Sequence, residues 1–315
     1  MLSYSIKRTL QLFVTMLGVV SLVFFSIRLI PGDPSAAMAG DNLSGEALEI
    51  FRQKLGLNAP LWMQYLDYLK SLIRFDLGNT LTTSLPITGL LLKALPITFT
   101  LAVFTLLVSI LIAIPLGTVA AFHANKGRRA MDNALTSASM VGELMPSFMS
   151  SLLLMLLLSL TLHLLPASGA IQFDNPFMLM KRLALPVIVL SLTQISTLAR
   201  ITRTSVLEVL NEDYVRTARS MGLSEIVVVF RHALKNSMLP IITVIGLSFA
   251  NLLNGAVIVE YIFSIPGNGT LLISGINSRD YPLVQNGILF YSFIFILVNY
   301  MTDLIYKRVD PRVQT

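Results

Sequence analysis

The 315-residue sequence contains no cysteine, one tryptophan and three histidines, and only 13% of it is charged. Without cysteine there can be no disulfide and no thiolate metal site, and the redox compartment cannot be read. His123, His163 and His232 are scattered through different loops, which argues against a histidine metal cluster. Ordinary soluble domains carry about 25% charged residues, so a single soluble core does not account for this chain. No G-x-x-x-x-G-K-[ST] phosphate loop and no H-E-x-x-H helix occurs, so the chain has no nucleotide or zinc motif of its own. No catalytic residues, bound cofactor, metal site or nucleic-acid partner is expected, and no internal repeat is evident.

What the chain has in abundance is apolar sequence, 54% of its residues. A membrane helix needs roughly 20 apolar residues to cross about 30 Å of hydrocarbon. Six stretches qualify, at about 9–30, 95–122, 135–162, 183–207, 239–263 and 284–306. Their runs are continuous rather than alternating, which points to helices and not to a barrel. The expected fold is an all-α membrane protein with six transmembrane helices. It divides into a tail and first helix (1–30), an outer segment (31–94), a five-helix domain (95–310) containing a loop at 208–239, and a short tail (311–315).

Orientation follows from the basic residues of short loops. Lys7, Arg8, Lys126, Arg128, Arg129, Arg200, Arg203, Arg216, Arg219, Arg231, Lys235, Lys307, Arg308 and Arg312 fall on one side. Those on the other side lie mostly in the long segment after the first span, where they count for little. Both termini are therefore expected in the cytoplasm, with the chain in a cell inner or plasma membrane. A cleaved leader ending near Ala37-Met38-Ala39 is the alternative for the first span. Its apolar run is longer than a leader core of about 7–15 residues, which favours retention.

In the outer segment, Pro31-Gly32-Asp33-Pro34 is turn chemistry. Residues 46–55 and 61–73 alternate apolar and polar residues at roughly helical spacing. Trp62, Tyr65 and Tyr68 suit a helix at the membrane interface. The segment is either a plain cap on the bundle or a docking surface for an outer partner.

The loop at 208–239 is charged and helix-forming. Asn211 reads as a helix N-cap, with Glu212 and Asp213 in the first turn where the helix dipole favours acid. Gly222 fits the position after the helix, where a left-handed backbone ends it. One face carries Tyr214, Val215, Ala218 and Met221, with Arg216 and Arg219 directed elsewhere. Helices below about 12–15 residues are marginal alone, so this one needs a supporting surface, expected from a partner. Ser224 caps a second segment that runs toward Leu239-Pro240.

These residues, with Arg216-Thr217-Ala218 followed by Gly222 and Leu239-Pro240, resemble the E-A-A-x-x-x-G…L-P signature of permease subunits of ATP-binding-cassette importers. Arg216 replaces the acid, as is usual in the dipeptide, oligopeptide and nickel branch. The resemblance extends to LIPGDP (29–34), LGLNAPLWMQY (55–65), LPITFTLA (95–102), IPLG (114–117), LNEDYVRTARSMGL (210–223), RHALKNSMLP (231–240), VEYIFSIPGNG (259–269), RDYPLVQ (279–285) and VDPR (309–312). It implies a second, homologous permease, two cytoplasmic ATPases that hold ATP and magnesium, and an extracytoplasmic solute-binding protein. It also implies that Tyr214, Val215, Arg216, Thr217, Ala218, Arg219, Ser220, Met221 and Gly222 form a coupling helix seated on an ATPase. The apolar run 226–230 departs from relatives that carry basic residues there, and Glu143 stands where relatives are commonly apolar.

Four further residues are candidates for a translocation pathway. Glu143 lies early in the third span, and an ionisable group at depth costs about 2–3 kcal/mol unless it meets a cavity or partner. It either lines a path or pairs with Arg128 or Arg129. Asn251 and Asn254, three apart, share a face of the fifth span with Glu260 beyond them; interhelical hydrogen bonding is the alternative role. Asp303 and Lys307 read as an ion pair on one helix face. The competing functions are a self-sufficient secondary transporter or channel, which would carry buried charge sets in related halves, and an intramembrane hydrolase, for which no nucleophile elbow is present.

Overall fold

The computed structural model describes residues 2–29, 45, 53, 58–169, 171 and 173–309, with side chains described for all of these except 2–8, 141, 254, 255 and 303–309. The turn at 31–34, the leader alternative at 37–39 and nearly all of the helical pattern at 46–55 lie outside the described residues. So do the side chains of Asp303 and Lys307.

Among the described residues the chain is helical apart from loops and one isolated bridge between Asn79 and Pro86. We number the helices α1 (Leu2–Leu29), α2 (Leu61–Ile73), α3 (Ile87–Asn125), α4 (Arg129–Leu144), α5 (Ser147–Thr161), α6 (Pro176–Leu210), α7 (Asp213–Ser220), α8 (Glu225–Asn236), α9 (Met238–Ile262), α10 (Asn268–Asn277) and α11 (Tyr281–Val309). Four are long and apolar enough on their own to cross a bilayer: Thr9–Leu29 within α1, α3, α6, and Tyr281–Thr302 within α11. Two bent pairs, α4 with α5 and α8 with α9, raise the number to six if each is one span.

The third apolar run is thus not a straight helix. α4 and α5 meet at 97°. Pro146 disfavours helical backbone in the residue before it, and Met145 is accordingly extended, with φ −108° and ψ 130°. α6, the helix of the fourth apolar run, starts earlier than that run. Asn175 accepts a hydrogen bond from the Met178 amide at 3.1 Å and Pro176 occupies the first helical position, both standard ways to open a helix. In α9, Pro240 sits in the first turn, where its missing N–H costs nothing. α10 was not anticipated from the sequence.

The chain divides into two compact units, one of residues 1–97 and 266–297, the other of 98–265 and 298–315. In the first, Val20, Val23 and Ile27 of α1 pack with Leu289 of α11 and with Tyr65, Tyr68, Leu69 and Leu72 of α2. Arg28 closes this core. Its guanidinium stacks 3.4 Å from the Phe24 ring centroid and donates to Gln64 Oε1 (3.1 Å) and Gln285 Oε1 (3.4 Å). Buried Asp280, from the RDYPLVQ motif, gathers the loop before α3. Its Oδ2 accepts from the Leu81 and Thr82 amides at 2.8 and 3.2 Å, and its Oδ1 from the Leu283 amide at 3.2 Å.

In the second unit α4 runs antiparallel to α6. Ser196 donates to the Ser139 carbonyl, Thr193 to the Gly142 carbonyl at 3.3 Å, and Asp132 forms a two-pronged ion pair with Arg203 at 2.6 Å for each bond. Asp132 is buried. Paired and doubly hydrogen-bonded, its charge is compensated in an apolar setting. α3 approaches α6 closely at Gly117, where a Cβ would run into the Ala199 carbonyl and lie 2.8 Å from Thr202 Cβ.

This contact makes a clear prediction. By helix propensity alone, Gly→Ala in a helix stabilises by about 1 kcal/mol. Gly18→Ala, with nothing near its added methyl, should hold or raise the melting temperature of the purified chain. Gly117→Ala should lower it by several degrees, because the helices must part. Equal melting of the two variants would show that α3 and α6 do not meet at Gly117.

Candidate functional site

α7 has only eight residues, too few to persist alone in water. Its support is internal. Val215 and Ala218, three apart and so on one face, are buried among Ala121 of α3, Val206 and Leu210 of α6, and Val228, Val229 and Ala233 of α8. From the sequence that support is expected from a partner; the structure supplies it from three helices of the same chain. Arg219 adds polar anchors. Its Nη2 donates to Asn125 Oδ1 at the end of α3 (2.9 Å) and its Nε to Glu225 Oε1 at the start of α8 (3.0 Å). Asn236 Nδ2 donates to the Tyr214 hydroxyl at 2.7 Å.

The ends of α7 differ from each other. The N-cap is Glu212, in extended backbone and with no side-chain capping bond. Asn211 instead caps the C-terminus of α6, and its side-chain amide donates to the Leu207 carbonyl at 3.0 Å. The C-terminus is a paired-bond cap. The Gly222 amide donates to the Arg219 carbonyl (3.0 Å) and the Leu223 amide to the Ala218 carbonyl (3.4 Å), with Gly222 at φ +80°. That φ favours glycine. Ser224 is the N-cap position of α8, with the Val228 amide on its carbonyl at 3.0 Å but no side-chain bond.

The predicted face of Tyr214, Val215, Ala218 and Met221 is split. Val215 and Ala218 point inward. Tyr214 is on the rim, and Met221 is 77% exposed. Arg219 turns toward α3 and α8, whereas Arg216 stays exposed beside Asp213 at 3.4 Å. Thr217 and Ser220 bond to carbonyls one turn back. Ile226 (69% exposed), Leu223 and Phe230 extend the apolar edge that Met221 begins. This side of the loop therefore presents apolar groups and Arg216 outward, while its inner side is locked to α3, α6 and α8.

The pathway candidates are not gathered into one cluster. Glu143 is exposed and pairs with Arg200 of α6 at 3.2 Å, not with Arg128 or Arg129. Glu260 is fully buried in α9 and Asn251, on the same helix, is exposed. The Asn254 side chain lies outside the described residues. Among the described residues no group of three or more His, Asp or Glu side chains could hold a metal ion. The Asp132–Arg203 pair and the Arg219 anchors were missed in the sequence. Asp132 and Arg203 are 71 residues apart and Arg219 and Asn125 are 94 apart, so only knowledge of which helices touch joins them; Glu225 lies six residues from Arg219 in the same loop.

Comparison with known proteins adds a second line of observation. Residues 113–315 match the family model described as binding-protein-dependent transport system inner membrane component, and residues 1–102 match the model of its N-terminal region. A putative peptide transport system permease protein of Brucella abortus is 39% identical over 310 residues, covering 98% of each chain. The glutathione transport system permease protein of Salmonella typhimurium is 35% identical over 316 residues, covering 100% of this chain and 99% of its own. Among solved structures, the MetNI methionine ABC transporter in inward-facing conformations has a chain that superposes with a TM-score of 0.57. That match is at 12% identity and covers 70% of this chain and 97% of the other.

If Arg219 anchors α7 as this geometry implies, Arg219→Ala should loosen the loop without disturbing the spans. In hydrogen exchange of the purified full chain, amides of 213–223 should exchange roughly fivefold faster, the effect of losing about 1 kcal/mol of local stability. Amides of 180–200 should not change. Unaltered exchange in 213–223 would remove Arg219 from the anchoring role.

Proposed function

The chain belongs to the binding-protein-dependent transport system inner membrane component family, and from that membership we propose that it is one of two related permeases in an ATP-binding-cassette importer for peptides or a peptide-like solute. The two permeases would enclose the pathway as a heterodimer. Two ATPases on the cytoplasmic side would bind ATP and magnesium, and a solute-binding protein would deliver cargo from outside. In this reading each permease contributes six spans, with the bent pairs α4/α5 and α8/α9 each crossing once. Both termini are cytoplasmic, 31–94 is extracytoplasmic, and the membrane is the inner or plasma membrane.

The observation that carries the proposal is α7. It is a short helix whose inner face is fixed to α3, α6 and α8, and it offers Arg216 outward beside Met221 and Leu223 of the following turn and Ile226 of α8. A load applied there passes to α3 and α6 without a compliant joint. Closure of an ATPase pair beneath it would then bias the permease pair between two arrangements, a rigid-body switch driven by differential binding on one side. Full-length similarity to peptide and glutathione permeases supports the solute class. The chain's lack of a nucleotide motif agrees with hydrolysis on other subunits. Among the described residues, no buried charge set in related halves favours a self-sufficient transporter.

The test is purification of the chain from its native membrane, then reconstitution. A second six-span protein and two ATPases should be retained, and uptake of labelled di- or tripeptides should require ATP. Recovery of the chain alone, active without ATP, would overturn the proposal. Gly222→Trp sharpens the test. Among the described residues, its chain neighbours aside, nothing lies within 4 Å of a Cβ placed there, so a side chain has room to start outward, while the left-handed backbone adds strain. ATP-driven uptake should fall at least tenfold; full uptake would contradict docking at this turn.

Glu143, Asn251, Asn254 and Glu260 remain candidates for the pathway wall. If Glu143 faces cargo in another arrangement, Glu143→Gln should lower uptake severalfold while the complex still assembles. Uptake at the parent level would remove it.

A further inference from the structure

α2 has more apolar surface than its packing uses. Its thirteen residues divide into three sectors around the axis. The inner sector, Tyr65, Tyr68, Leu69 and Leu72, packs on α1 and α11. Tyr65 shares a hydrogen bond with Ser21 of α1 at 2.6 Å and stacks on Phe25 with ring centroids 5.6 Å apart. The Tyr68 hydroxyl donates to Asn286 Oδ1 of α11 at 2.9 Å. Burial pushes the Tyr68 phenol up to about 12, so it keeps that proton at any working pH. A second sector carries Asp67 and Lys70, exposed and paired at 2.9 Å, with Ser71 beside them. Between the two runs a third, of Trp62, Leu66 and Ile73, spaced four and seven apart. Trp62 is 61% exposed, Leu66 47% and Ile73 79%, and Phe75 just beyond the helix is 83% exposed.

A helix that only capped the bundle in water would have polar residues in both outward sectors. This one has an apolar stripe next to a charged one. Four features identify what covers the stripe. The helix leans on the Arg28 end of α1, whose outward residues Leu22, Phe25 and Leu29 are themselves exposed and apolar. Phe25 on that outward side stacks on Tyr65 of α2, bringing the two helices' exposed apolar groups close together. Tryptophan beside lysine is the chemistry of the bilayer boundary, where an amphipathic ring and a long ammonium stem sit between hydrocarbon and water. The stripe is also small. By itself, without the neighbouring side chains of α1, it does not supply the roughly 800 Å² per partner of a stable protein interface.

We infer that α2 is an interfacial helix that rests in the lipid headgroup–acyl boundary at the Leu29 end of α1, with Trp62, Leu66 and Ile73 in contact with lipid and Asp67 and Lys70 in water. On the orientation proposed above, this is the outer leaflet. The consequence is positional. Arg28, Gln64 and Tyr68 tie α2 to α1 and α11, so lipid contact along α2 fixes the depth at which this end of the unit sits.

The chain has no cysteine and a single tryptophan, which makes the test direct. Nitroxide labels are placed one at a time by Leu66→Cys, Ile73→Cys and Lys70→Cys in the full chain, assembled with the subunits that co-purify with it, in lipid nanodiscs. Accessibility to oxygen, which partitions into lipid, is compared with accessibility to a water-soluble nickel chelate. The oxygen-to-nickel ratio at 66 and 73 should exceed that at 70 by at least threefold. Equal ratios at all three sites would overturn the inference in favour of a water-exposed cap. Labels at 66 and 73 shielded from both reagents would overturn it in favour of a protein interface. Should the cysteine variants not assemble, Trp62 in the unsubstituted chain reports the same thing. Acyl-brominated lipid should quench its fluorescence by half or more, and absence of quenching would refute lipid contact. Failure of ATP-dependent uptake would count against the importer reading without altering these ratios.

Discussion

An eight-residue helix has to be held by something, and in this protein Val215 and Ala218 tie it to the ends of the long helices. Burial of those two side chains against α3, α6 and α8 offsets the cost of ordering a helix too short to stand in water. Arg219 then adds directional bonds to Asn125 and Glu225. The outer groups, Arg216 and Met221, stay exposed. The buried side chains that hold the helix and the exposed groups Arg216 and Met221 thus sit within the same short segment.

The same logic continues into the spans. Within the second unit, helices approach closely where side chains are small, at Gly117 against Ala199 and at Gly142 against Leu192. Close approach lets dispersion and hydroxyl-to-carbonyl bonds do what hydrophobic burial cannot do between helices surrounded by lipid. The Asp132–Arg203 pair is one polar fixture of that pairing and the Arg200–Glu143 pair, more exposed, is another. Arg203 lies one turn before Val206, so the helix that holds α7 is itself held in register on α4. In the first unit, Arg28 and Asp280 play the corresponding parts, each serving several acceptors or donors at a chain end.

Much of this was legible because lipid restricts backbone choices. Apolar runs of membrane length in this chain could only be helices, and the end of α7 was readable from Gly222. What was not legible has specific causes. Asn211 looked like a cap by residue type, but the chain turns one residue later, and Glu212 caps by backbone geometry alone. Four other helix ends place Phe75, His163, Ser264 and Arg279 in left-handed backbone, with φ of 56°, 54°, 53° and 53°. A rule that looks for glycine passes over them. The 97° break between α4 and α5 hides inside an apolar run because a single Pro146 was the only mark of it. Glu143 found Arg200 rather than its sequence neighbours because the antiparallel pairing of α4 and α6, which no local pattern encodes, decides which charges meet.

The central claim is that α7 moves with α3 and α6 as one body. It is tested most directly by a distance measured across that junction during the transport cycle. Arg216→Cys on α7 and Lys126→Cys at the end of α3 provide two exposed, unique labelling sites in a chain without cysteine. Pulsed electron paramagnetic resonance on the reconstituted complex would give their separation with no nucleotide and with ATP trapped before release. The account predicts the same distance, within about 2 Å, in both states, because rigid bodies in such switches keep their internal packing. A shift of 5 Å or more would mean that the loop hinges on its own, and would contradict the account.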